Sequence, residues 1–447
     1  MFRSLLLLLA LSTPLFAQGI PPHLNNYIQA KDDAFTWKIV DTIVVDGNTI
    51  TTIKMTSQKW QGHVWEHDLQ IFLPKDVKLT ATMLLMNDGG TAGAGRTAMG
   101  LALAQRAKCP VAFVYGVPKQ PIDGKKEDAL IAETFIKYLE TKDPAWPLLF
   151  PMVKTVIKAM DAVQAFAKQE WKHDVTGFII TGASKRGWTT WLTAATGDVR
   201  VKAIAPMVFD SLNMLKQMPH QVASFGDYSL MIKDYKERKL LPLPETDDAK
   251  ALWAMVDPWV YREKVTVPKL IVNGTNDPYW TQDALNLYWN DLKGPKNVLY
   301  VPNAGHDLRP MEDPAAEKDK MKRDLTPMKA IDTIAAFSRT IIEGKTFPVD
   351  RTKIETVGLN GVKVTFDFES APKVVKIWKA GSDTRDFRKQ KWTEAVKMTS
   401  TSEDTLQKGT YGVACTSPFN AVFSEAEYEL DGQKYYLSTP ITIVEKK

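Results

Sequence analysis

Cysteine is almost missing from this sequence: Cys109 and Cys415 are the two in 447 residues. A single pair so far apart defines no disulfide framework, and two separately buried thiols are expected. A basic run is missing too. The net charge of +5 is small for the length and the charges are interspersed, so nothing calls for nucleic acid as a partner. Past the first residues no apolar run is long enough to cross a bilayer. No G-x-G-x-x-G follows a first strand and no G-x-x-x-x-G-K-[ST] occurs, which argues against dinucleotide and P-loop folds. Internal repeats and low-complexity linkers are absent as well.

What is present begins with "MFRSLLLLLALSTPLFAQG". One early arginine, a leucine run and small residues read as a secretory signal over 1–17, cleaved after Ala17. The alternative, an N-terminal membrane anchor, needs about 20 apolar residues, and this stretch is shorter. The mature chain is then expected in the periplasm or secreted, with no transmembrane segment. Its length suggests two or three domains.

"FTWKIVDTIVVDGNTITTIKMTSQKW" alternates apolar and polar residues around Asp46-Gly47, a β-hairpin pattern. From about Leu79 the texture changes. "TATMLLMN", "CPVAFVYGVP", "TGFIITGA", "VKAIAPMVF", "PKLIVNG" and "NVLYVPN" are short continuous apolar runs, as in strands buried on both faces of a parallel sheet. Helical patterns such as "PMVKTVIKAMDAVQAFAKQ", "RGWTTWLTAAT" and "TQDALNLYWNDLK" lie between them. Antiparallel strands followed by alternating strand and helix predict an α/β-hydrolase fold over 18–348. Insertions at about 118–150 and 211–262 are expected to cap the C-terminal edge of the sheet. From 349 to 447 only alternating strands remain, a C-terminal antiparallel β-sandwich domain.

"ITGASKRGW" places Ser184 after an apolar strand and before a helix, the setting of a nucleophile elbow. Strand and helix approach closely there, so positions two away from the serine must be small. Gly182 meets that need. On the other side stands Arg186, with Gly187 one residue later, so the pattern becomes G-x-S-x-x-G. The plain alternative is a serine helix cap. Asp277 in "LIVNGTNDPYW" and His306 in "VLYVPNAGHDL" follow the next two buried strands. A carboxylate and an imidazole at neighbouring strand ends can complete a Ser-His-Asp relay. Asp283 falls inside the following helical pattern and Asp307 adjoins the histidine, so both are weaker acids for the role. Oxyanion donors, worth roughly 3–4 kcal/mol each, are expected from the amide of Lys185 and from Gly89 and Gly90 in "LLMNDGGTAGAG".

Over a few residues the elbow resembles the G-x-S-R-x-G turn of glucuronoyl esterases. That resemblance implies an oxyanion role for the cation at Lys185, and Lys185 with Arg186 would favour an anionic substrate. Over roughly residues 20–440 the chain resembles the PhoPQ-activated pathogenicity-related protein family. The supporting segments are "SQKWQGHVWEHDLQIFLP", "MNDGG", "EDALIAETFIKYLETKDPAWPLLFPMVKTVIKAMDAVQ", "TGASKRGWTTWL" and "VNGTNDPYW". The resemblance implies an α/β-hydrolase fold, a C-terminal β-domain, an exported location and Ser184, Asp277 and His306 as the site. It names no substrate.

Two rival motifs remain. "HVWEH", from His63 to His67, matches H-x-x-E-H, but on a strand the two histidines lie about 13 Å apart, too far for one zinc ion. Glu127 and Asp128 in "KKEDAL" form an acid pair suited to a peptide's free amino terminus, or simply a helix start favoured by the dipole. Trp146, Tyr228, Trp253, Trp259, Tyr279 and Trp280 are candidates for an apolar or sugar-binding pocket. The sequence thus points to a serine hydrolase acting on a small-molecule, glycan-ester or peptide substrate, without metal or organic cofactor. An ester is favoured over an amide. The alternatives are an aminopeptidase or dipeptidyl-peptidase-like enzyme using Glu127 or Asp128, and a non-catalytic binding protein on a hydrolase scaffold.

Overall fold

The computed structural model describes residues 19–309, 327–358, 361–400 and 406–446. The leader expected at 1–17 lies outside them. Helix α1 (His23–Gln29) precedes a meander of β1 (Thr36–Val45), β2 (Asn48–Trp60) and β3 (His63–Leu73), paired antiparallel. Alternation then gives way to strand–helix units: β4 (Thr82–Asn87), α2 (Ala94–Ala107), β5 (Val111–Val114), α3 (Glu127–Thr141), α4 (Leu149–Phe166), β6 (Gly177–Ala183), α5 (Lys185–Ala195) and β7 (Val201–Met207). Helices α6 (Met214–Phe225), α7 (Lys233–Glu237) and α8 (Asp247–Val256) come before β8 (Lys269–Gly274), β9 (Lys296–Val301) and α9 (Met328–Ile342).

In space the strands run β1-β2-β3-β5-β4-β6-β7-β8-β9. The pairs from β5 and β4 through to β9 are parallel, and β3 meets β5 antiparallel. The near-continuous apolar strands are buried on both faces, as their sequence requires. Phe178 and Ile180 of β6 share a core with Val153, Val156 and Trp191 of α4 and α5. Ile179 faces the other core, with Leu103 of α2 and Ile334 and Phe337 of α9. This is the α/β-hydrolase fold, and it brings the ends of β4, β6, β8 and β9 to one rim.

The segment "TQDALNLYWNDLK" departs from its helical pattern. It forms two 3-10 turns, Ala284–Leu287 and Trp289–Asp291. Tertiary hydrogen bonds outweigh local propensity here: Asn286 donates to the Ile441 carbonyl at 2.8 Å and Tyr288 to Asp210 at 2.6 Å.

The C-terminal strands form two antiparallel sheets. One holds β10 (Lys353–Val357), β11 (Gly361–Asp367) and β14 (Lys408–Ala414). The other holds β12 (Val374–Ser382), β13 (Thr393–Thr399), β15 (Phe419–Leu430), β16 (Gln433–Ser438) and β17 (Thr442–Glu445). Val362, Val364 and Phe366 of the first sheet share a core with Val375, Ile377 and Val422 of the second. The second sheet is also joined to the hydrolase sheet, through Ser438 of β16 opposite Val298 of β9. Its Phe423 packs on Tyr300, ring centroids 5.8 Å apart. Cys109 and Cys415 are free and buried. Among the described residues no helix is long and apolar enough to cross a membrane.

Candidate active site

Ser184 sits between β6 and α5 with φ 60° and ψ −122°, a backbone conformation that L-residues rarely adopt and that costs energy to hold. The Ser184 amide donates to the Met207 carbonyl at 2.9 Å, tying the turn to β7. Gly187 carries the close approach: a Cβ there would meet the Met207 carbonyl oxygen at 2.7 Å. Smallness is needed at 187, leaving position 186 open to a long side chain. The arginine in the motif is therefore compatible with a tight elbow.

Asp277 and His306 converge on the serine. His306 Nε2 lies 2.8 Å from Ser184 Oγ, and His306 Nδ1 lies 2.8 Å from Asp277 Oδ2. The hydrogen-bond pattern fits an imidazole protonated at Nδ1, donating to the carboxylate and accepting from the hydroxyl. The other oxygen, Asp277 Oδ1, accepts the Tyr279 amide at 2.8 Å. The Tyr279 ring lies over the imidazole, centroids 4.1 Å apart and planes 30° apart. The two weaker acids are elsewhere engaged. Asp283 binds His220 at 2.7 Å and Arg385 at 2.8 Å, and exposed Asp307 caps its own turn at Arg309.

The charged neighbours form pairs that no sequence pattern announces. Arg186 donates to both carboxylate oxygens of Glu127, each at 2.7 Å, and its Nε also donates to the Val117 carbonyl. Burial disfavours the Glu127 charge, yet the Arg186 hydrogen bonds and charge bring its pKa down to about 2. Lys185 Nζ lies 2.5 Å from Asp128 and 3.2 Å from Tyr279 Oη. Burial works against this ammonium, but Asp128 and Tyr279 outweigh it and leave its pKa above the ordinary lysine value. The two cations and the two acids expected at a substrate's charged end are therefore paired with one another: Lys185 with Asp128 and Arg186 with Glu127.

The loop after β4 meets the elbow through Arg186. Its guanidinium lies where a Cβ on Gly89 would stand, so a side chain at 89 would have to push Arg186 off its present position. The Gly90 amide donates to Asp88 Oδ1 at 2.6 Å, and Asp88 in turn pairs with Arg96 at 3.0 Å. Gly90 thus serves its own loop. Asn87 anchors the base, donating to the Thr181 carbonyl at 2.8 Å and to Thr190 Oγ1 at 3.1 Å. Trp280, also named from sequence, packs edge-on against Phe209 beside the serine.

A brace from the C-terminal strands went unseen in the sequence. The loop between β12 and β13 reaches both functional loops. Asn276 Nδ2 donates to the carbonyls of Arg388 at 3.2 Å and Gln390 at 2.7 Å. Asn303 and Trp392 exchange two bonds: the Trp392 amide donates to Asn303 Oδ1 at 2.7 Å, and Asn303 Nδ2 to the Trp392 carbonyl at 3.0 Å. Thr275 Oγ1 links the loops themselves, accepting the Asn303 amide at 2.8 Å. The residues before Asp277 and before His306 are therefore fixed to one another and to a third segment.

His67 is buried on β3, bonded to the Tyr115 carbonyl at 2.9 Å and Ser57 at 3.0 Å, and burial lowers its pKa to about 4. His63 is exposed at the start of that strand. Among the described residues no cluster of three or more His, Cys, Asp or Glu side chains is arranged to hold a metal ion.

Comparison with known proteins agrees with the sequence resemblance. A family model described as PhoPQ-activated pathogenicity-related protein matches residues 24–388, a span that runs past β12 into the bracing loop. Autocrine proliferation repressor protein A of Dictyostelium discoideum is 31% identical over 459 residues, covering 95% of this chain and 88% of that protein. Among solved structures, acetyl xylan esterase 1 from a Thermoanaerobacterium species is similar with a TM-score of 0.48 at 14% identity, covering 68% of this chain and 92% of that one. Acylaminoacyl peptidase from Pyrococcus horikoshii gives a TM-score of 0.43 at 16% identity, covering 72% and 44%.

Proposed function

The chain belongs to the PhoPQ-activated pathogenicity-related protein family, and from that premise we propose that it is an exported serine hydrolase cleaving carboxylic esters through an acyl-enzyme. Ser184 attacks the carbonyl carbon while His306 takes its proton. The same imidazole then protonates the leaving oxygen, and water releases the acid by the reverse sequence. Asp277 fixes the tautomer. The backbone amides of Gly89 and Lys185 receive the oxyanion; Gly90 is not needed, since its amide is occupied by Asp88. The observation that carries the reading is the pair of 2.8 Å contacts from one imidazole to a strained serine and a buried carboxylate. Export rests on the leader at 1–17.

A fluorophosphonate probe tests the proposal: wild-type protein labels at Ser184 and Ser184→Ala does not. Folded wild-type protein that stays unlabelled sinks it.

The brace gives a second handle. Removing the side chain in Asn303→Ala releases the Trp392 amide and carbonyl and loosens the histidine loop. Small misplacement of a reacting group costs up to about 10²-fold. We expect kcat to fall about tenfold to a hundredfold with KM unchanged and a melting midpoint within a few degrees of wild type. Steady-state kinetics beside thermal unfolding decide it. A stability loss with kcat intact would make Asn303 merely structural.

A further inference from the structure

Resting on the serine-hydrolase reading, we infer that the substrate is an ester between an apolar carboxylic acid, aromatic or of medium chain length, and a polar alcohol. Ser184 lies on the wall of two unlike cavities. One is a narrow pocket walled by Trp188, Phe209, Met214, Met218, Trp253 and Trp280, from α5, the stretches after β7 and β8, and helices α6 and α8. The charged groups that reach it, Asp128 and Lys185, are paired at 2.5 Å and bonded further to Tyr235 and Tyr279. They present a neutral wall. The other cavity is a wider cleft, about 920 Å³ with its open solvent included, bordered by Asp88, Arg96, Glu127, Arg186 and His306.

Which half of the ester enters which cavity follows from the proton. In acylation His306 must hand the serine's proton to the leaving oxygen as the carbon–oxygen bond breaks, so that oxygen must lie within hydrogen-bond reach of Nε2. His306 borders the polar cleft and is not among the residues walling the apolar pocket. The alcohol therefore departs along the cleft, and the acyl chain, on the other side of the carbonyl, enters the pocket. Polar edges suit a hydroxyl-rich leaving group. Aromatic and methionine walls suit an apolar acid, because each methylene removed from water is worth about fourfold in affinity.

Acetyl, hexanoyl and phenylacetyl esters of glycerol separate the possibilities. With wild-type enzyme, kcat/KM is expected to rise about 10²-fold from acetyl to hexanoyl or phenylacetyl. Met218→Trp, which fills the pocket from α6, abolishes that rise. Leu241→Phe, on another wall, does the same if Met218→Trp fails to fold. The rate of Ser184 labelling by the fluorophosphonate is followed throughout. Normal labelling with equal or better turnover of acetyl esters overturns this inference alone. Normal labelling with the rise appearing on lengthening the alcohol instead also overturns it, since the pocket then holds the leaving group. Loss of labelling in folded wild-type protein overturns the hydrolase reading and this inference with it.

Discussion

Ser184→Ala is expected to lower kcat by about a millionfold, His306→Ala by a similar factor, and the double variant by no more than either. A nucleophile and its base act as one unit: once the hydroxyl is gone the imidazole has no proton to accept, and without the imidazole the hydroxyl stays a poor nucleophile. The 2.8 Å contact between Nε2 and Oγ is the geometric basis for this non-additivity. Residual turnover above water is also expected, since amides aimed at the oxyanion and the binding pocket still act when the relay is broken. Initial rates on a chromogenic phenylacetyl ester, for the two single variants and the double, decide the matter. Losses that multiply would show Ser184 and His306 working independently, and the relay would have to be abandoned. Stability should hardly move, because alanine keeps the Ser184 backbone bond to Met207 and inherits the same positive φ.

Much of this site was legible because its parts sit at strand ends. The apolar runs "GFIIT", "KLIVNG" and "NVLYV" became β6, β8 and β9, and parallel strands place their C-terminal ends on one rim. Ser184, Asp277 and His306 each follow such a run within a short turn, so three local signals were enough to bring distant residues together. The ion pairs were illegible for the opposite reason. Glu127 with Arg186 and Asp128 with Lys185 meet across two elements whose contact no periodicity encodes. In sequence the two cations read together as a site for an anion and the two acids as an amine clamp or a helix start; in space cation and acid satisfy one another. The brace was hidden in the same way. Asn276 and Asn303 are common turn residues, and nothing in "TNDPYW" or "PNAGHDL" says that a loop near residue 390 will accept and return their hydrogen bonds. The C-terminal strands were recognised, but the attachment of their sheet to β9 through one residue pair leaves no trace in an alternating pattern. Besides that attachment, the C-terminal region is hydrogen-bonded to the loops that carry Asp277 and His306. Deleting it should therefore damage turnover as well as stability.

Asp277→Asn is expected to lower kcat by about 10⁴-fold while KM and folding stay near wild type. The carboxylate has two jobs: Oδ2 accepts the imidazole Nδ1–H and Oδ1 accepts the Tyr279 amide, both at 2.8 Å. An asparagine has one oxygen for both. If that oxygen keeps the Tyr279 amide, the new NH₂ faces Nδ1, which must then give up its proton. The ring proton moves to Nε2, which donates to Ser184 where it should accept, and the serine loses its base. If the amide turns the other way, two donors face each other at Tyr279 in a buried site, at a cost of about 1–3 kcal/mol. Both outcomes leave the imidazole in place, because the Tyr279 ring still covers it; the first, which avoids the clash of donors, changes its protonation pattern. Nitrogen-15 spectra of the histidine ring should report the tautomer shift directly, alongside the loss of kcat. Asp283→Asn is the control. Its carboxylate serves His220 and Arg385, so the change should alter kcat by no more than a few-fold. A loss below tenfold for Asp277→Asn, or a larger loss for Asp283→Asn, would remove Asp277 from the relay and require another group to hold the imidazole.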